Sequence, residues 1–231
     1  MSDKKVAIVQ SNYIPWKGYF DLVNLVDEFI LLDNVQYTHG HWRNRNQIKT
    51  ASGLNWLTIP VYVKGKHCQK INDTKIADTR WRTKHWKTLQ QNYRNSEFFH
   101  LYKETFENLY LGYEEIYLSE INYRFIKNIC SLLGIKTKIS WSMSYDTMGQ
   151  RTERVISLCK ISGATIYLSG PAAKNYLVEK RFKDEGLELA YMDYSGYKVY
   201  RQLFPPFIHE VSILDLLFNE GPNASNFMKS F

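Results

Sequence analysis

Between Gln10 and Asn46 the chain concentrates side chains that can bind oxyanions and move protons. Gln10-Ser-Asn12 and Asp33-Asn-Val-Gln36 supply amides and a carboxylate, each directly after an apolar run. Arg43-Asn-Arg-Asn46 sets two guanidiniums among amides. Arginine's planar fork suits bidentate recognition of phosphate or carboxylate, although a solvated loop would have the same composition. Asp21, Asp33 and His39 are the acid–base candidates, with Asp33 the preferred base. His39 and His41 would face one side of a strand and could share a metal, but no third ligand lies within sequence reach. Nucleophile and phosphate-loop signatures are absent: there is no Gly-x-Ser-x-Gly, no Walker loop, no Gly-x-Gly-x-x-Gly and no His-Glu-x-x-His.

These residues need a scaffold, and the hydrophobic pattern supplies one. Val6–Val9 and Glu28–Leu32 read as buried strands separated by a short helix bearing Phe20, Leu22, Val23 and Val26. Two apolar β runs around a helix indicate a βαβ unit and a parallel pair. Leu54–Val63 reads as an edge strand, because Pro60 cannot donate into a central ladder. The middle is helical. Asp78 or Thr79 can cap a helix with Trp81, His85, Leu89 and Tyr93 on one face, and further helices run from about Ser96 to Gly112 and from Ser119 to Gly134.

The βα rhythm then returns. Thr137–Trp141, Thr165–Leu168 and Leu187–Met192 are expected strands; Arg151–Ile161, Ala172–Phe182 and Ser212–Phe218 are expected helices. The chain therefore reads as a single α/β domain over 1–231, a parallel sheet with flanking helices and a helical insertion at about 75–133. In such a sheet, ligands bind beyond the carboxyl ends of the strands. Three of those ends, Gln10-Ser-Asn12, Asp33-Asn-Val-Gln36 and Ser169-Gly-Pro171, carry polar or glycine-containing loops. Taken singly, each could be an Asx turn or a helix start.

Composition bounds the function. The 231 residues, 44% of them hydrophobic, are those of an ordinary globular chain, and mean hydropathy is −0.41. The four-residue apolar stretch after Lys5 is too short for an export signal, so a cytoplasmic location with reduced Cys68, Cys130 and Cys159 is expected. The formal charge of +7 is local, because residues 64–94 hold nine Lys/Arg against Asp73 and Asp78. Such a cluster implies a polyanionic partner. Arg80-Trp-Arg-Thr-Lys-His-Trp-Lys87 interleaves cations and aromatics as nucleic-acid binders do. On a helix, however, the pattern separates into a core face and a basic outer stripe, which fits a nucleotide diphosphate better than a polymer.

Gln10-Ser-Asn-Tyr-Ile-Pro-Trp-Lys-Gly-Tyr-Phe20, Asp33-Asn-Val-Gln-Tyr37 and Trp42-Arg-Asn-Arg-Asn46 resemble the WbqC-like protein family. So do Trp56–Val61, Tyr167–Gly170, Tyr200-Arg-Gln202 and Ser212–Gly221, with Ser11 and Arg201 departing from the family pattern. The resemblance implies a role in bacterial surface-polysaccharide (O-antigen) biosynthesis. Val9–Val23 is also similar to the first strand and loop of the nucleotidylyltransferase-like superfamily, pantothenate synthetase type. That group's His-x-Gly-His motif falls on Trp16-Lys-Gly-Tyr19, where the glycine is kept and both histidines are lost. Ser169-Gly-Pro171 falls on its phosphate-contacting turn, a helix start of the kind that holds anions.

Together these readings imply an enzyme that modifies a nucleotide-linked amino sugar by acyl or aminoacyl transfer, or as an ATP-dependent ligase. ATP or an acyl carrier is then the co-substrate. Asp33 and His39 are the expected catalytic residues. Gln10, Asn12, Tyr13, Trp16, Lys17, Gly18, Gln36, Arg43, Asn44, Arg45, Asn46, Ser169 and Gly170 are the expected substrate contacts. The alternatives are a non-catalytic nucleotide-sugar-binding or adaptor protein, and a nucleic-acid binder acting through residues 64–94.

Overall fold

A computed structural model describes residues 3–231. Five parallel strands form the central sheet: β1 (Lys5–Val9), β2 (Glu28–Leu31), β5 (Lys138–Trp141), β6 (Ile166–Ser169) and β7 (Glu188–Tyr191), in the spatial order β5-β2-β1-β6-β7. Successive side chains on a strand point to opposite faces, and this alternation divides the core in two. Ala7, Phe29 and Leu31 enter one apolar cluster with α1 (Lys17–Asn24), α4 (Leu118–Leu132) and α7 (Ile213–Glu220). Val6, Ile8 and Ile30 enter the other with α5 (Thr152–Ile161) and Phe182 of α6 (Glu179–Asp184). Helices on both faces of a parallel sheet make this an α/β, Rossmann-like fold.

Strand order reverses at β1. The chain leaves β1 for β2 on one side and, after β5, returns to place β6 on the other. The ends of β1 and β6 therefore flank a crevice, the usual ligand position in open sheets of this kind.

The connection from β2 to β5 contains a separate antiparallel hairpin, β3 (Arg45–Thr50) with β4 (Gly53–Thr58), and the helices α2 (Trp81–Tyr93), α3 (Phe99–Leu111) and α4. The expected edge strand at Leu54–Val63 is thus corrected. Its first half pairs only with β3, and Pro60 lies beyond the ladder. The expected Ala172–Phe182 helix is also corrected: a 3-10 turn at Pro171–Asn175 precedes the short α6. Neither Asp78 nor Thr79 caps α2. Arg80 holds the cap position, and Asp78 instead accepts the Arg80 N–H at 2.9 Å. At α7, Ser212 holds the cap position, its Oγ accepting the Leu214 N–H.

No helix among the described residues is long and apolar enough to cross a membrane.

Candidate functional site

The loop after β1 is held in an uncommon shape. Ile14 has φ of +38°, a conformation that is costly for a β-branched residue unless its surroundings impose it. Here they do. Asn46 Nδ2 donates to the Tyr13 and Ile14 carbonyls at 3.1 and 2.9 Å, and Ser212 Oγ donates to the Ile14 carbonyl at 2.8 Å. The Ile213 N–H adds a bond to the Pro15 carbonyl at 2.9 Å. Hairpin and C-terminal helix together fix the turn that delivers Trp16 and Lys17 to the start of α1. The Trp16 indole then lies over Gly18, where an added Cβ would sit 2.4 Å from a ring carbon, so only glycine fits.

Beside this turn lies a polar cluster. Asp33, fully buried at the end of β2, accepts the Ser11 N–H at 2.8 Å. Its other oxygen has no protein partner. Asn122 of α4 donates to Ser11 Oγ at 3.0 Å and to the Arg43 carbonyl at 2.8 Å. The Arg43 guanidinium donates to Asn12 Oδ1. Burial pushes the Asp33 carboxyl above its usual range, opposed by the Ser11 hydrogen bonds and the Arg43 charge. Burial pulls Arg43 down, opposed by Tyr19 and Asp33. Such a cluster can present a guanidinium to an oxyanion and can hold a proton on Asp33.

An aromatic cavity of about 420 Å3 is lined by Trp16, Tyr194, Gly196, Tyr197, His209 and Glu210. Trp16 meets Tyr194 and Tyr197 edge-on at centroid distances of 5.1 and 5.7 Å. The hydroxyl of Tyr194 comes within 3.8 Å of where a Cβ on Gly170 would lie, joining the β6 end to the same wall. Behind it, Lys17 is buried, with its ammonium 4.6 Å from the Tyr197 ring centre and donating to the Lys198 carbonyl at 3.4 Å. Burial lowers the Lys17 amine to about 8 despite opposing charge on Asp21 and Asp215. His209 is also pulled down, first by burial and then by Lys17.

The structure thus groups Asn12, Asp33 and Arg43 in one cluster and sets Trp16 and Gly170 against Tyr194, with Lys17 beside Tyr197. Gln10 joins them through its carbonyl, which accepts the Tyr19 hydroxyl at 3.3 Å. Ser169, buried at the end of β6, lies 3.2 Å from the Tyr167 hydroxyl. Other expected residues are engaged elsewhere. Tyr13 is fully buried, its hydroxyl bonded to His85 Nδ1 at 2.9 Å and Tyr110 at 2.8 Å. Asn44 donates to the Ile59 carbonyl at 2.8 Å, and Asn46 holds the Ile14 turn. The Arg45 guanidinium lies 4.1 Å from the Trp56 ring centre. Gln36 is exposed and donates to the His67 carbonyl at 2.7 Å, and His39 and His41 are exposed in a turn rather than on a strand. No group of three or more His, Cys, Asp or Glu able to hold a metal exists among the described residues.

On α2, Trp81, His85 and Trp86 face the core, leaving Arg80, Lys84 and Lys87 exposed. The tryptophans are therefore closed to stacking with bases. Tyr194, Tyr197 and His209 were not legible as site residues. They come from the irregular chain between β7 and α7, where neither periodicity nor motif signals a role.

A parallel sheet with helices on both faces and a strand-order reversal at β1 defines an α/β, Rossmann-like protein with a candidate crevice. Residues 10–227 match the WbqC-like protein family, and the chain belongs to that family. It is also 47% identical over 226 residues, 98% of each chain, to the uncharacterized protein Rv1507c of Mycobacterium tuberculosis (strain ATCC 25618 / H37Rv). No solved structure matches the chain.

Proposed function

We propose that this protein acts in polysaccharide biosynthesis, binding a nucleotide-linked amino sugar in the crevice and transferring an acyl or aminoacyl group to its amine. The observation that carries this reading is the cluster of Arg43, Asn12 and Asp33 after the ends of β1 and β2, together with an aromatic wall whose Tyr194 meets the β6 end. Membership of the WbqC-like family supports the pathway.

In this reading Arg43, steadied by Asn12, holds a diphosphate oxygen. The Trp16–Tyr194 wall takes a ring face. The sugar amine attacks the carbonyl of an acyl donor, either a carrier thioester or an adenylate. A C–N bond forms, the bond from the carbonyl to sulfur or phosphate oxygen breaks, and Asp33 takes the amine's proton. The basic stripe of α2 is the outer attraction for the polyanionic substrate. A second reading, a nucleotide-sugar-binding adaptor without chemistry, draws on the complete burial of Asp33.

The two are separated by turnover in a reconstituted assay with a UDP- or dTDP-amino sugar and an activated acyl donor. Asp33→Asn is expected to lower kcat by roughly 100-fold or more with KM little changed. Unchanged turnover in Asp33→Asn would remove Asp33 from the chemistry. Binding without turnover under any donor would favour the adaptor.

A further inference from the structure

A larger cavity, about 820 Å3, opens between α4, the end of β5 and the chain before α4. It is lined by a different set of side chains from the crevice, with Arg124 and Glu115 on one wall and Tyr123 and Trp141 on another. Arg124 is only 8% exposed and Glu115 is 23% exposed. Arg124 Nε and Glu115 Oε1 form an ion pair at 3.0 Å, which leaves the two outer guanidinium nitrogens without an acceptor. Glu115 Oε2 likewise has no donor. Buried polar groups are nearly always paired, so a missing acceptor beside a missing donor calls for an explanation. Burial pulls the guanidinium below its ordinary range, with Glu115 opposing.

The charges around the cavity narrow the occupant. Arg124 and Lys127 face Asp73, Glu115 and Glu120. Arg82, bonded to the Glu115 carbonyl at 2.6 Å, brings the positive groups to three, so the signs balance. Neither a polyanion nor a simple cation meets both, and a simple cation would leave the Arg124 fork unmet. A molecule carrying one carboxylate and one ammonium on neighbouring atoms supplies both missing partners. Tyr123 and Trp141, with ring centroids 5.2 Å apart, offer an apolar face for the rest of it.

We infer that this cavity is a binding site for an α-amino acid with a large or aromatic side chain, its carboxylate on Arg124 and its ammonium on Glu115. The site shares no lining residue with the aromatic cavity of the crevice and holds whether or not the crevice performs transfer. The Tyr113 ring, whose centre is 4.0 Å from the Arg124 guanidinium, covers the fork and is 40% exposed. Admission of the carboxylate requires that ring to turn outward.

The test is calorimetric titration of the full chain with tryptophan, phenylalanine and glycine. Two analogues accompany them: 3-phenylpropionate, which lacks the amine, and phenethylamine, which lacks the carboxylate. Phenylalanine or tryptophan is expected to bind at least about tenfold more tightly than glycine and than either analogue. Glu115→Gln is expected to weaken the amino acid by about tenfold or more and to leave 3-phenylpropionate unchanged. Arg124→Gln is expected to abolish binding of the amino acid. Should that variant fail to fold, Glu115→Gln at its less buried position decides the matter. Equal binding of phenylalanine and 3-phenylpropionate would make this an anion site and overturn the assignment. So would the absence of heat with every amino acid at millimolar concentration, which would mean a cavity filled by water alone.

Discussion

Lys17 is the residue whose ionisation most directly reports the character of the crevice. Its amine is lowered from 10.5 to about 8 by burial. Between those values the unfolded chain binds more protons than the folded one, so this group makes stability rise with pH across that window. Below about pH 8 the folded protein carries a buried ammonium at full cost. Lys17→Met should therefore be more stable than the parent at pH 7, with the advantage shrinking as pH approaches 10. Urea unfolding of both proteins across that range checks it, and a pH-independent difference would contradict it. At Asp33 the sign is opposite. Its carboxyl is raised by burial, and the Ser11 hydrogen bonds hold it down. Ser11→Ala should move the acid limb of the pH–rate profile upward, read from kcat/KM against pH.

The elements that aim the site carry their own predictions. Asn46 bonds two carbonyls of the turn before α1. Asn46→Ala should cost about 1–3 kcal/mol by leaving buried carbonyls unpaired, measured by urea unfolding. It should also weaken ligand binding, since Trp16 and Lys17 follow that turn. On α2, burial lowers His85 to about 4 against an ordinary 6.5, and its ring meets the Tyr13 hydroxyl. The unfolded histidine protonates first on acidification, so stability falls as pH drops from about 6.5 towards 4. His85→Phe should flatten that fall, seen as a smaller change in unfolding midpoint over the same range.

Most of these elements were legible because parallel strands and amphipathic helices leave strong periodic signals. The hairpin was not: β3 reads Arg-Asn-Gln-Ile-Lys-Thr, and its Asn46 and Lys49 are buried polar residues that hide the alternation. The same concealment affected the site. Asn12, Asp33 and Arg43 stood out by residue type. Tyr13, Asn44 and Asn46 looked equally functional, yet their polar groups are spent on the backbone and core.

At the scale of the whole molecule, a two-faced sheet means two apolar clusters whose losses should add. Phe125 lies in the cluster with α4, and Phe182 in the cluster with α5. Each is fully buried, so Phe125→Ala and Phe182→Ala should cost about 3–5 kcal/mol apiece. Across separate clusters, the double variant should show their near-sum. A ligand can settle in the crevice, on the basic segment or on neither. Calorimetric titration of the parent and Arg43→Ala with a UDP- or dTDP-amino sugar, alongside a short oligonucleotide, addresses this directly. Saturable binding of the nucleotide sugar is expected, weakened by about tenfold or more in Arg43→Ala. Binding of the oligonucleotide alone, or nucleotide-sugar binding indifferent to Arg43→Ala, would contradict it.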